Sequence, residues 1–305
     1  MQPGRSDVYV ISAADRRAGI ASLFDELPGR PFAGREVSLK ANYNSSDPYP
    51  ASTHPDTLAA IVDALRAAGA GPITLAERSG MGVTQTVLRE RGVLDLAERL
   101  GFSVLDLDRL PAEGWVEIRH ADLHWDRGFY IAGLFREGAA VVQTCCLKTH
   151  RFGGHFTMSL KNSVGLVARI DPLGHYNYMA ELHASPHQRL MIAEINRFYP
   201  VDLVIMDAAE AFVTGGPERG EVVQPALLIA GRDRVAIDAV GVALLRSYGS
   251  TPAVMKGRIF AMEQIARAAE LGVGALSAAD IRVISLDDAS REAAAEIEVL
   301  LDEQG

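Results

Sequence analysis

The sequence predicts an α/β fold, a mostly parallel sheet with helices on both faces. Two patterns predict it. Short apolar runs of strand length alternate with amphipathic stretches of helical period, the order that builds parallel sheets with covering helices. Polar residues then cluster just past the strand runs: Lys40 and Asn42, Glu77 and Ser79, Lys148 and His150, Asp207 and Glu210. Open α/β sheets bind ligands at the carboxyl ends of their strands, so these four groups are expected on one edge. A chain of 305 residues, 48% hydrophobic and 23% charged, suffices for one large domain or two smaller ones. We take residues 1–305 as a single domain that admits two lobes, 1–110 and 136–305, joined by a β-rich insertion at 111–135, with the site between the lobes.

Taken in order, DVYVIS is a strand and a helix follows near 15–27. REVSLKANYN is a strand that enters a loop rich in Asn, Ser and Pro. THPDTLAAIVDALRAAG is the clearest helix, with Pro55 at its first position, Leu58, Ile61, Val62 and Leu65 in one stripe, and Gly69 as its stop. PITLAE and FSVLDLD are strands on either side of TQTVLRERGVLDLAERLG, a helical stretch broken at Gly92. WVEIRHADLHW and GFYIAGLF alternate as an inserted β-hairpin would. AAVVQTCCL is a buried-type strand with KTH at its end, and SLKNSVG opens a helix. SPHQRLMIAEINRFYP is expected to be a helix capped by Ser185 with Pro186 in its first turn. VDLVIMDA is a strand ending at Asp207, and PALLIAG another. Asp233 caps RVAIDAVGVALLRSYG, MEQIARAAELG is helical, IRVISLD is the last strand and the tail is an acidic helix.

Composition narrows the function. A formal net charge of −9 argues against a general nucleic-acid binder while leaving room for a local basic pocket. The N-terminus lacks the basic flank and apolar run of a signal peptide, and no apolar stretch approaches the roughly 18–20 residues of a membrane span, so a cytoplasmic protein is expected. Walker loops, GxGxxG, nucleophile elbows and kinase signatures are missing. HADLH has the spacing of a zinc pair but strand-like surroundings, and HASPH is interrupted by Pro186. Adjacent Cys145 and Cys146 on a strand point to opposite faces and are read as core.

The lysines carry the chemistry. Of 30 basic residues only Lys40, Lys148, Lys161 and Lys256 are lysine. Lysine is a compact charge that can lose its proton or form a covalent adduct when buried, whereas arginine is a fixed planar cation. A chain that writes arginine elsewhere keeps three lysines beside strand ends, which suggests an anion pocket or a reactive amine. Asn42 and Asn162 add donors and acceptors. The TGGP turn offers backbone donors from Gly215 and Gly216. His150, His155 and His175 crowd one loop-rich stretch of a chain with eight histidines, and histidine is both an acid/base group and a metal ligand. Asp207 is a base, a metal ligand or a lysine partner. Asp238, among apolar neighbours, needs a cation or backbone amides nearby, whether its role is structural or in the site.

With these residues collected, VSLKANYN, VVQTCCLKTH…SLKNSVGLV, VIMDAAEAFVTGGPERG and LIAGRDRVAIDAVGVALL stand in the order of the blocks of domain-of-unknown-function family 362. The resemblance covers roughly residues 36 to 275, and KTH followed by SLKN and Gly165 is its most specific part. Many members of that family carry an appended ferredoxin with CxxCxxC spacing. This chain has two cysteines, so an intrinsic iron–sulfur cluster is not expected. A second resemblance is to the catalytic region of lactate racemases with a tethered nickel-pincer nucleotide. His150, Gly153–Gly154, Lys161, Gly165 and His175 follow its order. That resemblance implies a tether-like Lys161, His175 as metal ligand and His150 as acid/base. Because SLKN replaces a glycine-rich approach to the lysine, we read it as shared architecture rather than a shared cofactor.

These readings converge on an enzyme of lyase or isomerase type that moves a proton on a small anionic metabolite, a carboxylate or phosphate. His150, Lys161 and Asp207 would be catalytic, and Lys40, Asn42, Lys148, Asn162, Gly215 and Gly216 would bind substrate. The sequence names no cofactor; a divalent metal held by His150, His155 and His175 is compatible with it. Nucleic acid and membrane are not expected partners, and a homo-oligomer is compatible with the sequence. The rivals are a non-catalytic anion-, cofactor- or metal-binding protein and a redox partner that accepts a cluster or flavin from another protein.

Overall fold

Each strand-length apolar run becomes a strand, and the computed structural model describes residues 5–27, 29, 31–136, 138–153 and 155–305. Gly154, the second glycine of the turn after His150, lies outside the described residues, as do residues 1–4. The strands are β1 (Ser6–Ser12), β2 (Val37–Lys40), β3 (Ile73–Glu77), β4 (Ser103–Asp106), β5 (Trp115–Ile118), β6 (Phe129–Ala132), β7 (Ala140–His150), β8 (His155–Thr157), β9 (Leu203–Phe212), β10 (Val222–Val223), β11 (Leu227–Gly231) and β12 (Ile281–Ser285). Ten of them form one sheet in the order β12-β1-β11-β9-β7-β2-β3-β4, with β8 paired to β7 and β10 to β9. Along that path only β11 runs against its neighbours, so the sheet is mostly parallel. β5 and β6 form a separate antiparallel pair.

Helices cover both faces. On one lie α1 (Arg16–Asp25), α2 (Pro55–Ala67), α3 (Thr84–Glu90) and α4 (Val93–Leu100). Ile20, Leu58, Ile61, Leu88 and Leu96 bury against Leu39, Leu75 and Val142 there. The other face carries α5 (Ser159–Asn162), α6 (Tyr178–Ala184), α7 (Gln188–Ile195), α8 (Arg234–Ser247), α9 (Pro252–Met255), α10 (Glu263–Glu270) and α11 (Arg291–Gln304). Val240, Leu244, Ile265 and Ile297 pack there with Leu147 and Met206, while α6 and α7 cover Val141 together with the β5–β6 pair. Strand alternation explains the split, since Val141, Cys145 and Leu147 face one way and Ala140 and Val142 the other. Both cysteines are free and buried. No helix among the described residues is long and apolar enough to cross a membrane.

Local chemistry fixes several ends. Asp233 caps α8, accepting from Val235 N at 2.8 Å and Ala236 N at 3.0 Å. Gly92, at φ +69°, separates α3 from α4. Two boundaries differ from the sequence expectation. Ser185 does not cap α7 but closes α6, because a residue before proline is held extended (φ −71°, ψ 135°), and α7 starts at Gln188. β9 does not stop at Asp207 but continues to Phe212, which puts Asp207 in mid-strand.

Candidate functional site

Because β2, β3 and β7 run parallel as neighbours, their carboxyl ends share one edge of the sheet. A cavity of about 340 Å³ opens there. The three lysines that stood out by their scarcity, Lys40, Lys148 and Lys161, all line it, with Asn42, His150 and Asn162. Glu77, Arg78, Arg169 and His183 line it too. Five cationic side chains thus face one carboxylate in a protein whose formal net charge is −9.

Lys40 and Glu77, the last residues of β2 and β3, form a buried ion pair with Nζ 2.6 Å from Oε1. Lys40 Nζ also donates to Asn162 Oδ1 at 3.1 Å and to the carbonyl of Ala41. Glu77 accepts in addition from Tyr43 N at 3.1 Å and Arg78 N at 2.9 Å. Burial pulls the Lys40 pKa down and Glu77 pulls it back up. Gly165 presses on this pair. A Cβ there would lie 2.7 Å from Lys40 Cε and 2.9 Å from Nζ, so a side chain at this position would displace the end of the lysine from its ion pair.

Lys148, near the end of β7, donates to the carbonyls of Pro50 and Ala51 and thereby ties the loop after β2 to the cavity wall. Lys161 is different. It is 8% exposed, and no group among the described residues accepts a hydrogen bond from its ammonium. Burial and the neighbouring charge of Lys148 bring its pKa down to about 8. Short helix α5 holds it, and Asp238 of α8 anchors that helix by accepting from Ser159 N at 2.8 Å and Leu160 N at 3.1 Å. The buried acid read from the sequence has therefore found backbone amides. Asn162, next to Lys161, donates to the Thr144 carbonyl at 3.0 Å.

Burial raises the Asp238 pKa to about 7, against the opposing pull of the two amides. Between about pH 4 and pH 7 the folded state then keeps a proton that the unfolded chain has released. Stability from this group is present below pH 4 and is lost as pH rises through 7. Asp238→Asn is expected to flatten that decline by roughly 1 kcal/mol per pH unit. Urea denaturation of both proteins at pH 5 and pH 7 checks it, and equal pH slopes would contradict the account.

Two neutral imidazoles complete the cavity. His150 has its pKa lowered to about 2 by burial and then by Lys161 and Lys148, and its buried Nδ1 has no partner among the described residues. His183, on the last turn of α6, is exposed and lies 2.6 Å through Nδ1 from the Met179 carbonyl. A carbonyl only accepts, so Nδ1 carries the proton and Nε2 holds the free lone pair. Burial and the charges of Lys161 and Arg78 lower its pKa. Arg78 spends Nε and Nη2 on the carbonyls of Val167 and Val164, at 2.9 and 2.7 Å, and leaves Nη1 buried without a partner.

Several expected site residues lie elsewhere. Asp207 does not reach the cavity. It accepts from Arg16 Nε at 2.9 Å, Tyr49 Oη at 2.7 Å, Ala209 N at 3.0 Å and the Thr57 hydroxyl. Held by donors from four residues, this carboxylate clasps α1, α2, β9 and the loop after β2 together, outside the cavity. His155, in β8, sits at φ +61° beside Arg189 and Glu263, away from the cavity. His175 is exposed in the loop before α6. The expected metal trio of His150, His155 and His175 is therefore not assembled, and no group of three His, Cys, Asp or Glu side chains fit for a metal occurs among the described residues. The set implied by the racemase resemblance does not fit for the same reason, because His175 is apart from Lys161 and His150. Gly215 and Gly216 do not line this cavity. A Cβ on Gly216 would meet the Thr149 carbonyl at 1.9 Å, so the glycine lets this turn close on β7. The next residue, Pro217, reaches the cavity wall. Of the HADLH pair, His124 lies 2.6 Å from the buried Glu194.

A family model described as a domain of unknown function, DUF362, matches residues 37–243. No curated protein matches the chain. Among solved structures, one titled as the lactate racemase apoprotein from Thermoanaerobacterium thermosaccharolyticum is similar, at 14% identity and a TM-score of 0.47. The alignment covers 73% of this chain and 54% of that one, so the chain spans about half the length of that protein.

Proposed function

The chain belongs to the DUF362 family, and we propose that it is an enzyme that binds a small anionic metabolite and moves a proton on a carbon beside its carbonyl group. The observation that carries this reading is the pairing of five cations and two neutral imidazoles around one cavity of about 340 Å³. Cations without carboxylate partners, Lys148 and Lys161, and the unpartnered Nη1 of Arg78 are suited to a carboxylate or phosphate. His183 Nε2 is the base. Removing a proton next to a carbonyl builds negative charge on oxygen, and buried ammonium groups stabilise that charge. Return of the proton gives isomerisation; loss of a neighbouring group gives elimination.

The test is hydrogen exchange in D₂O with pyruvate and glycolaldehyde phosphate as probes, followed by NMR of the protons beside the carbonyl. Wild-type protein is expected to accelerate exchange of one of them, and His183→Gln to slow it by about 10²–10⁴-fold. No acceleration with either probe, or an unaffected variant, would defeat the reading.

A further inference from the structure

We propose that Lys161 is a covalent amine that condenses with the carbonyl carbon of an anionic aldehyde or ketone, a 2-oxo carboxylate being the simplest example. This rests on the proton-transfer reading of the same cavity and goes further, since it assigns the bond through which the substrate is activated. The four lysines of the chain occupy four different settings. Lys40 is held by Glu77 and Asn162. Lys148 is held by two backbone carbonyls, and Lys256 is exposed. Lys161 alone combines burial in the cavity with no acceptor among the described residues, and its helix is pinned by Asp238. An ammonium that faces a cavity without a counter-ion, beside a second ammonium, gives up its proton readily. At pH 7 its pKa of about 8 leaves about a tenth of the molecules with a neutral amine.

The neighbours supply the remaining parts. Arg78 Nη1 and Lys148 can hold the anionic group. The lone pair of His183 Nε2 takes a proton from the Lys161 ammonium; the charge of Lys161 is felt at that ring. The amine nitrogen then attacks the carbonyl carbon, and the carbonyl oxygen becomes the hydroxyl of a carbinolamine. That hydroxyl leaves as water after receiving a proton, and the C=N bond forms. Overall one amine and one carbonyl give one imine and one water, with no oxidant, reductant or metal consumed. The imine, once protonated, acidifies the adjacent C–H and links this step to the proton transfer.

The experiment treats the full chain with pyruvate and sodium cyanoborohydride, which delivers hydride to an imine carbon. Intact mass and peptide mapping then read the product. One carboxyethyl group per chain on Lys161 is expected, with Lys256 as the internal surface control. Lys161→Met should lose the adduct. Lys161→Arg, which keeps the charge, should lose it too while pyruvate still raises the melting temperature. Absence of an adduct, labelling of Lys256 to the same extent, or an unchanged adduct in the variants overturns the proposal. Deuterium exchange without any adduct would overturn the covalent step and leave the proton-transfer reading standing; an adduct on Lys161 without exchange would do the reverse.

Discussion

Replacing Lys40 with methionine is expected to cost about 3–5 kcal/mol of folding stability. The lysine is 2% exposed and its partner Glu77 is 1% exposed. Removing the ammonium leaves a carboxylate under the cavity floor that, among the described residues, accepts hydrogen bonds from just two backbone amides, those of Tyr43 and Arg78. The pair itself is not expected to be worth that much, because two desolvated charges gain little over apolar groups of the same shape. The double variant Lys40→Met/Glu77→Leu should therefore recover most of the loss. Urea denaturation of the two single variants and the double variant measures the coupling directly. A Lys40→Met loss within about 0.5 kcal/mol, the range of an ordinary surface change, would show that Glu77 is not trapped as the geometry indicates.

The parallel sheet was legible because its strands are buried and apolar and its helices have one stripe each. Scarcity of lysine was enough to pick out Lys40, Lys148 and Lys161, which come from β2, β7 and α5 and meet in one cavity. What stayed hidden was long-range satisfaction of polar groups. Asp207 read as a strand end because a carboxylate in mid-strand is costly, and the donors that remove that cost come from Arg16, Tyr49 and Thr57, far away in sequence. His183 carries no comparable sequence signal, because α6 is short and the Gly–His–Tyr–Asn turn before it makes His175 the more conspicuous imidazole. Arg78 had a usable signal, since it stands directly after Glu77 at a strand end where ligands bind.

Lys161→Met is expected to do the opposite of Lys40→Met and raise stability at pH 7, by about 1–3 kcal/mol. Among the described residues no carboxylate stands beside Lys161, so its burial is a penalty without an offset, made worse by Lys148. Its folded-state pKa of about 8 lies below the ordinary lysine value of 10.5. A lowered lysine pKa means that the unfolded chain binds the proton more tightly, so the penalty is complete below about pH 8 and disappears as pH rises toward 10.5. The wild-type protein should accordingly gain stability relative to Lys161→Met over that window, and the two curves should converge at its upper end. Denaturation at pH 7, 8.5 and 10 tests the sign as well as the size. A destabilised Lys161→Met at pH 7, or a difference that does not change with pH, would mean that the ammonium has a partner in the folded protein. Stabilisation accompanied by loss of the pyruvate adduct would instead locate the strain and the chemistry on the same nitrogen, the result expected of an amine kept in a costly setting so that it can react.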